Sequence, residues 1–184
     1  MRTKSIKGRG TAQAKAATGN QGGFTLMELV VGMLVMSIAI VMMTSMLFPQ
    51  ADRAAKTLHR VRSAELAHGI LNEIWGKRYD QNTNANGGVP ACGSPLGLPC
   101  SLETEFGPDG TETREQFNDV DDYHGLSETN LMLNSSQSYN DFYPNYRLAV
   151  SVVLGAAANT KLVTVNVTTP DGEVITYQAL RSNY

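Results

Sequence analysis

The sequence predicts an α+β chain in which one long N-terminal helix, apolar along its first half and amphipathic along its second, packs on a C-terminal antiparallel sheet. Three observations carry that expectation. Leu29 to Phe48 is a run of 20 residues without a charge. From Leu58 to Trp75 apolar residues return at helical spacing. From Tyr146 onward they alternate with polar ones, the period of a half-buried strand.

At about 1.5 Å per residue the uncharged run makes a helix about 30 Å long, the thickness of a bilayer core. Residues 1–23 before it hold Arg2, Lys4, Lys7, Arg9 and Lys15 and no acidic residue. Positive-inside topology keeps that stretch in the cytoplasm and places the rest of the chain on the outer side of the inner membrane. The run is longer than the core of a cleaved secretory signal, and no A-x-A sequence follows it. A plain signal anchor fits these facts as well. Six of the eight methionines lie here, read as flexible fillers between packed helices rather than metal ligands. Pro49 is expected to kink or loosen the helix just past the apolar run.

Leu58, Val61, Ala64, Leu71 and Trp75 fall near one stripe, with Ala67 and Ile74 beside it, and Gly76 is a plausible stop. Residues 79–145 are rich in Asn, Gly, Pro and Asp and read as irregular, with short elements inside. Strands follow: Leu148, Val150, Val152 and Leu154 alternate after Tyr146, then Val163, Val165 and Val167, and Pro170-Asp171-Gly172 turns the chain into Glu173–Leu180.

Beyond residue 23 the chain carries ten Lys plus Arg against 17 Asp plus Glu. A body with that net acidity is a poor general partner for nucleic acid. The two cysteines, Cys92 and Cys100, are too few for a four-ligand zinc site. Outside the cytoplasm they form a short disulfide loop. Asp119, Asp121 and Asp122 place three carboxylates in four positions. Two readings stay open for them: oxygen ligands for calcium, though not in EF-hand spacing, or a solvated turn with capping aspartates. No other cofactor is expected.

The junction before the apolar run is QGGFTLMEL, Gln21 to Leu29. Gly23-Phe24-Thr25-Leu26-Met27-Glu28 resembles the signal of type IV prepilins and of type II secretion pseudopilins. The resemblance is strong over residues 21–50. It implies that a prepilin peptidase cuts between Gly23 and Phe24 and methylates the new amine of Phe24. Two readings stay open for Glu28: an assembly residue whose charge a neighbouring subunit's N-terminal ammonium neutralises among packed apolar helices, or a headgroup-level carboxylate favoured by the dipole of a helix start. The expected organisation is a cleaved basic leader at 1–23, a membrane and assembly helix at 24–48, and a periplasmic domain at 49–184. That domain divides into an amphipathic helix (about 50–76), an irregular region (79–145) and strands (146–184). Implied partners are other pilin subunits, the prepilin peptidase, the inner-membrane assembly machinery and the membrane.

Most of the remaining chain looks similar to the D-type minor pilins of the mannose-sensitive haemagglutinin (MSHA) pilus. The residues that carry this are LFPQADRAAKTLHRVRSAELAHGILNEIWGKRYD, GGVPAC, NDVDDY and the ending ITYQALRSNY. It implies a low-abundance subunit of a surface filament used in attachment and biofilm formation. The alternatives are a type II secretion pseudopilin and a pilus-borne ligand-binding module with Tyr123, Tyr139, Phe142, Tyr143 and Tyr146 as candidate aromatics. An enzyme is not expected: the chain has no HExxH, no GxSxG and no Gly-rich phosphate loop.

Overall fold

The computed structural model describes residues 23–86 and 88–183; the basic leader, Gly23 apart, lies outside the described residues. The chain divides into two compact units, Met1–Phe48 and Pro49–Tyr184. Helix α1, Leu26–Trp75, contributes to both and continues through Pro49.

In the first unit α1 starts from a side-chain cap. The Thr25 hydroxyl accepts the Glu28 N–H at 3.2 Å. Thr-Leu-Met-Glu has the spacing of a capping box, and the cap satisfies one of the amide donors a helix start leaves free. Further along, the hydroxyls of Ser37, Thr44 and Ser45 donate to the carbonyls of Met33, Ile40 and Met42 at 2.7–2.9 Å. The polar atoms of the apolar segment are therefore turned back onto the helix backbone. None of its best 18-residue window is buried within the chain, and its mean hydropathy is 2.4. This is the length and composition that cross a membrane.

In the second unit strands β1 (Arg147–Leu154), β2 (Thr160–Thr168) and β3 (Val174–Ser182) form an antiparallel meander in the order β1-β2-β3. Leu148 faces Val167, Val150 faces Val165 and Val152 faces Val163. These side chains cluster with Leu66, Ala67, Ile70, Leu71 and Ile74 of α1 and with Tyr123, Tyr139, Tyr143 and Tyr146 from the intervening region. Burying one Val, Leu or Ile side chain contributes about 1.5–3 kcal/mol. The β1–β2 turn needs Gly155, because a Cβ there would stand 2.2 Å from the Thr160 hydroxyl. The β2–β3 turn is closed by Thr169, whose hydroxyl donates to Asp171 at 2.5 Å, and by Gly172 at φ 84°. The outer edge of β1 does not end in open amides. The Val150 N–H donates to the Leu126 carbonyl at 2.9 Å and the Leu148 N–H to the Glu128 carboxylate at 3.1 Å.

The inward stripe of α1 differs from the one expected. It is Ser63, Leu66, Ala67, Ile70, Leu71 and Ile74, while Leu58 and Val61 are 64% and 62% exposed. Val61 precedes Ile70, and Leu58 precedes Ala67, by nine residues, about two and a half turns. Each points away from the sheet. Trp75 is also half exposed, as is Leu154 at the end of β1. The irregular region holds two 3-10 turns (Glu103–Glu105 and Asp121–Tyr123) and a single helical turn α2, Tyr139–Phe142, capped by Ser138.

Candidate processing and assembly segment

Gly23, Phe24 and Thr25 precede the first helical residue, and all three are exposed. A peptidase needs its scissile bond accessible and outside helical hydrogen bonding, and the Gly23–Phe24 bond meets both conditions. Glu28 follows in the first turn of α1, the only ionisable side chain between Phe24 and Ala51. A carboxylate there is favoured by the partial positive charge of the helix start. Phe24, Glu28, Gly32, Met33, Met36 and Ile40 border one open, mainly apolar concavity of about 720 Å³. A Cβ at Gly32 would have nothing within 4 Å, so this side of α1 is open to a neighbouring helix backbone.

Residues 18–44 match the prokaryotic N-terminal methylation motif. The match supports a type IV prepilin-like protein; proteins of that kind are structural subunits processed by a prepilin peptidase, and the apolar helix is consistent with membrane anchoring. No curated protein and no solved structure matches the chain. The α+β arrangement of a long helix on a three-stranded antiparallel sheet is that of a type IV pilin fold.

The two cysteines form the disulfide Cys92–Cys100, with the Cα atoms 4.9 Å apart. Its loop is fastened to the sheet end by Asn183, whose amide donates to the Cys92 carbonyl at 2.9 Å.

The acidic motif is folded inward. Lys161 of β2 has no exposed surface, and its ammonium donates to the Tyr79 carbonyl (3.0 Å), Asp80 Oδ2 (2.8 Å) and Asp121 Oδ2 (2.6 Å). Its Nζ also lies 4.4 Å from the centre of the Tyr79 ring. Asp119 Oδ1 accepts the amides of Asp121 (2.8 Å) and Asp122 (3.3 Å), and Asp122 Oδ2 accepts those of Asn118 (2.7 Å) and Asp119 (3.1 Å). Asp119, Asp121 and Asp122 thus each give one oxygen to a lysine or to backbone amides, while Asp121 Oδ1 is buried without a hydrogen-bond partner. The carboxylates that do gather within 4.8 Å of one another are Asp109, Glu112 and Asp122.

Burial pushes Asp80 up, but the Lys161 hydrogen bond and the amides of Asn82 and Ser101 outweigh it and hold the carboxyl below its usual range. Burial also raises Asp121, and Lys161 opposes it only in part, leaving it at about 6. Asp119 pairs with no cation among the described residues. Burial and the charges of Asp121 and Asp122 push it up to about 7.

A second buried ion pair joins Arg114 to Glu73 of α1; the same Nη2 donates to the Tyr139 hydroxyl at 3.2 Å. The Arg114 guanidinium lies 5.0 Å over both the Phe117 and Tyr123 rings. Four of the five candidate aromatics, Tyr123, Tyr139, Tyr143 and Tyr146, are core residues, and only Phe142 is substantially exposed. Neither buried pair was anticipated from the sequence. The signal for Lys161 was present: it shares the parity of Val163, Val165 and Val167, so the strand that buries them buries it.

Proposed function

We propose that this chain is a subunit of a type IV pilus, cut between Gly23 and Phe24, N-methylated on Phe24, and built into a surface filament through its apolar helix. The observation that carries this is the 20-residue uncharged helical surface, without cover from its own chain, lying largely within the methylation motif and opened by a single carboxylate.

Cleavage frees an α-amine on Phe24 that is cationic at neutral pH and remains so when methylated. Glu28 lies about one helical turn away. In a bundle of apolar helices an unpaired carboxylate is strongly unfavourable. The amine of an adjacent subunit neutralises it and sets the axial register. Before assembly the subunit spans the inner membrane once, with residues 49–184 in the periplasm and the leader in the cytoplasm. Its place is that of a minor pilin of the MSHA type, in a filament serving attachment and biofilm formation, and this finer assignment rests on the sequence resemblance.

The experiment is the intact mass and N-terminal peptide of the protein from native membranes and from sheared surface material. A chain beginning at N-methylated Phe24 in the sheared fraction is the expected result. A chain beginning at Met1 and confined to membranes, in cells with an active prepilin peptidase, would overturn the proposal. MSHA membership is tested separately, by recovery of the protein from filaments whose major subunit is the MSHA pilin.

A further inference from the structure

The two edges of the sheet differ. On β1 the cover extends beyond Leu148: the Val152 N–H donates to His124 Nδ1 at 3.1 Å, and the Val150 carbonyl accepts the Gly125 N–H at 3.0 Å. β3 is the other edge strand. The hairpin fixes which of its groups face out. The Thr169 N–H donates to the Glu173 carbonyl at 2.8 Å and the Asn183 N–H to the Asn159 carbonyl at 3.0 Å, at the two ends of the β2–β3 register. Odd-numbered residues of β3 therefore bond to β2, and the N–H and C=O groups of Val174, Thr176, Gln178, Leu180 and Ser182 point to the outer edge. Among the described residues no backbone hydrogen bond reaches them. The side chains of Thr176 and Gln178 turn across the sheet instead, to Asn166 at 2.7 Å and Thr164 at 3.4 Å.

Edges that stay unpaired are commonly kept so by proline, lysine, a bulge or a short strand. β3 has nine residues, an unbroken register with β2 and no proline. Its one charged residue, Arg181, lies on the inner face, 5.7 Å over the Trp75 ring. That inner face is incompletely covered. Ile175, Tyr177 and Ala179 are half-buried, whereas their partners on β2, Val167, Val165 and Val163, have no exposed surface. The helix leaves this side open: His68, beside Tyr177, and Trp75 are both exposed.

We propose that the outer edge of β3 takes an added strand from another protein, an extended segment apolar at every second residue. A second backbone presents donors and acceptors at the repeat of this row. Its inward side chains complete the layer beside Ile175, Tyr177 and Ala179 and are therefore apolar. The alternate ones lie with Thr176 and Gln178 and are free to be polar. A second copy's β3 fits less well. Within the second unit α1 and β3 run the same way: Arg60 bonds Glu173, Ser63 bonds Tyr177, and Trp75 lies against Arg181. Two-fold pairing of β3 with β3 is antiparallel and sets the two copies of Arg60–Trp75 antiparallel as well. Subunits inserted in one membrane from one side face the same way. That choice of partner rests on the membrane anchoring proposed above.

The test is amide hydrogen exchange of the full chain in detergent micelles with the peptide KLVTVNVT, the sequence of residues 161–168, which pairs with β3 on its other side. Saturating peptide is expected to slow exchange at Thr176, Gln178 and Leu180 by about tenfold or more, and to leave Tyr177 and Ala179 unchanged. KLSTSNST, and KLVTVNVT N-methylated at alternate residues, are expected to have no effect. Gln178→Pro removes an outward amide and keeps the bonds to β2, and is expected to weaken peptide binding about tenfold. The N-methylated peptide keeps the test informative if that variant does not fold. No slowing with KLVTVNVT, or equal slowing by KLSTSNST, overturns the proposal. Slow exchange at those amides without peptide also overturns it: growing with protein concentration, it makes the occupant a second copy; independent of concentration, it means that the chain covers its own edge. Failure of the pilus reading shows separately, as uncut chain in the mass measurement.

Discussion

Lys161 is a fully buried cation whose three ammonium protons all have acceptors. Lys161→Met removes the cation and leaves Asp80 and Asp121 buried without it. Breaking a buried pair from one side costs about 3–5 kcal/mol. Urea denaturation of the chain in micelles is expected to show a loss of that size. Asp119 works in the opposite sense. Its carboxyl titrates at about 7 in the folded chain, raised from 3.8. The folded state therefore binds more protons than the unfolded one between those values, and this contribution falls as pH rises through the window. The thermal midpoint is expected to climb as pH is lowered from about 8 to about 5, with Asp121 contributing in the same direction. Below that, the lowered carboxyl of Asp80 is protonated and its stabilisation is lost. Asp119→Asn keeps an oxygen for the two amides and removes the charge. It is expected to stabilise the chain at neutral pH by a few kcal/mol and to flatten the climb; an unchanged pH profile would remove Asp119 as its source. At the other end of the chain, Glu28→Ala is expected to leave cleavage after Gly23 intact and to reduce recovery in sheared filaments. Normal incorporation of that variant would count against pairing between Glu28 and a neighbour's amine.

At the scale of elements, α1 buries one face only from Ser63 onward. Ile70→Ala is expected to cost about 2–5 kcal/mol by removing a core side chain. Leu58→Ala is expected to stay within about 0.5 kcal/mol. Equal losses in the two variants would restore the stripe through Leu58 and Val61. The strands were legible because alternation has a period of two and admits only two phases: once Val150 and Val152 are inward, so are Val163, Val165 and Val167. The helix was less legible because its face can be rotated continuously, and apolar residues occur on both sides of α1. Leu58, Val61 and the inward residues offer competing stripes, and only the position of the sheet selects one. The roles of Asp80, Glu73, Arg114 and Lys161 were not legible, since each depends on a partner 40 or more residues away in sequence. The segment Gly23 to Glu28 is local, and its chemistry is carried by adjacent residues. That is why the proposed processing site was readable.

For the whole molecule, the loop region is held by covalent and ionic ties rather than by extended secondary structure. The Cys92–Cys100 bridge closes a loop of about nine residues and contributes about 2.5 kcal/mol by the chain-entropy relation. Replacing both cysteines by serine is expected to lower stability by about that amount while leaving the sheet's circular dichroism in place. Loss of the sheet signal would instead make the bridge a condition of folding. The hydroxyls of Ser37, Thr44 and Ser45 fold back onto α1, and between Leu29 and Phe48 no charge is offered to the surroundings. For the proposed subunit, leaving lipid for a filament exchanges one oily surrounding for another, with almost no water released. Water release then gives that step little direction. Packing fit and the ion pair at Glu28 are left to decide where the helix resides. A filament built on such a segment would draw its cohesion from the fit of helix to helix and one charge pair, not from hiding oil from water.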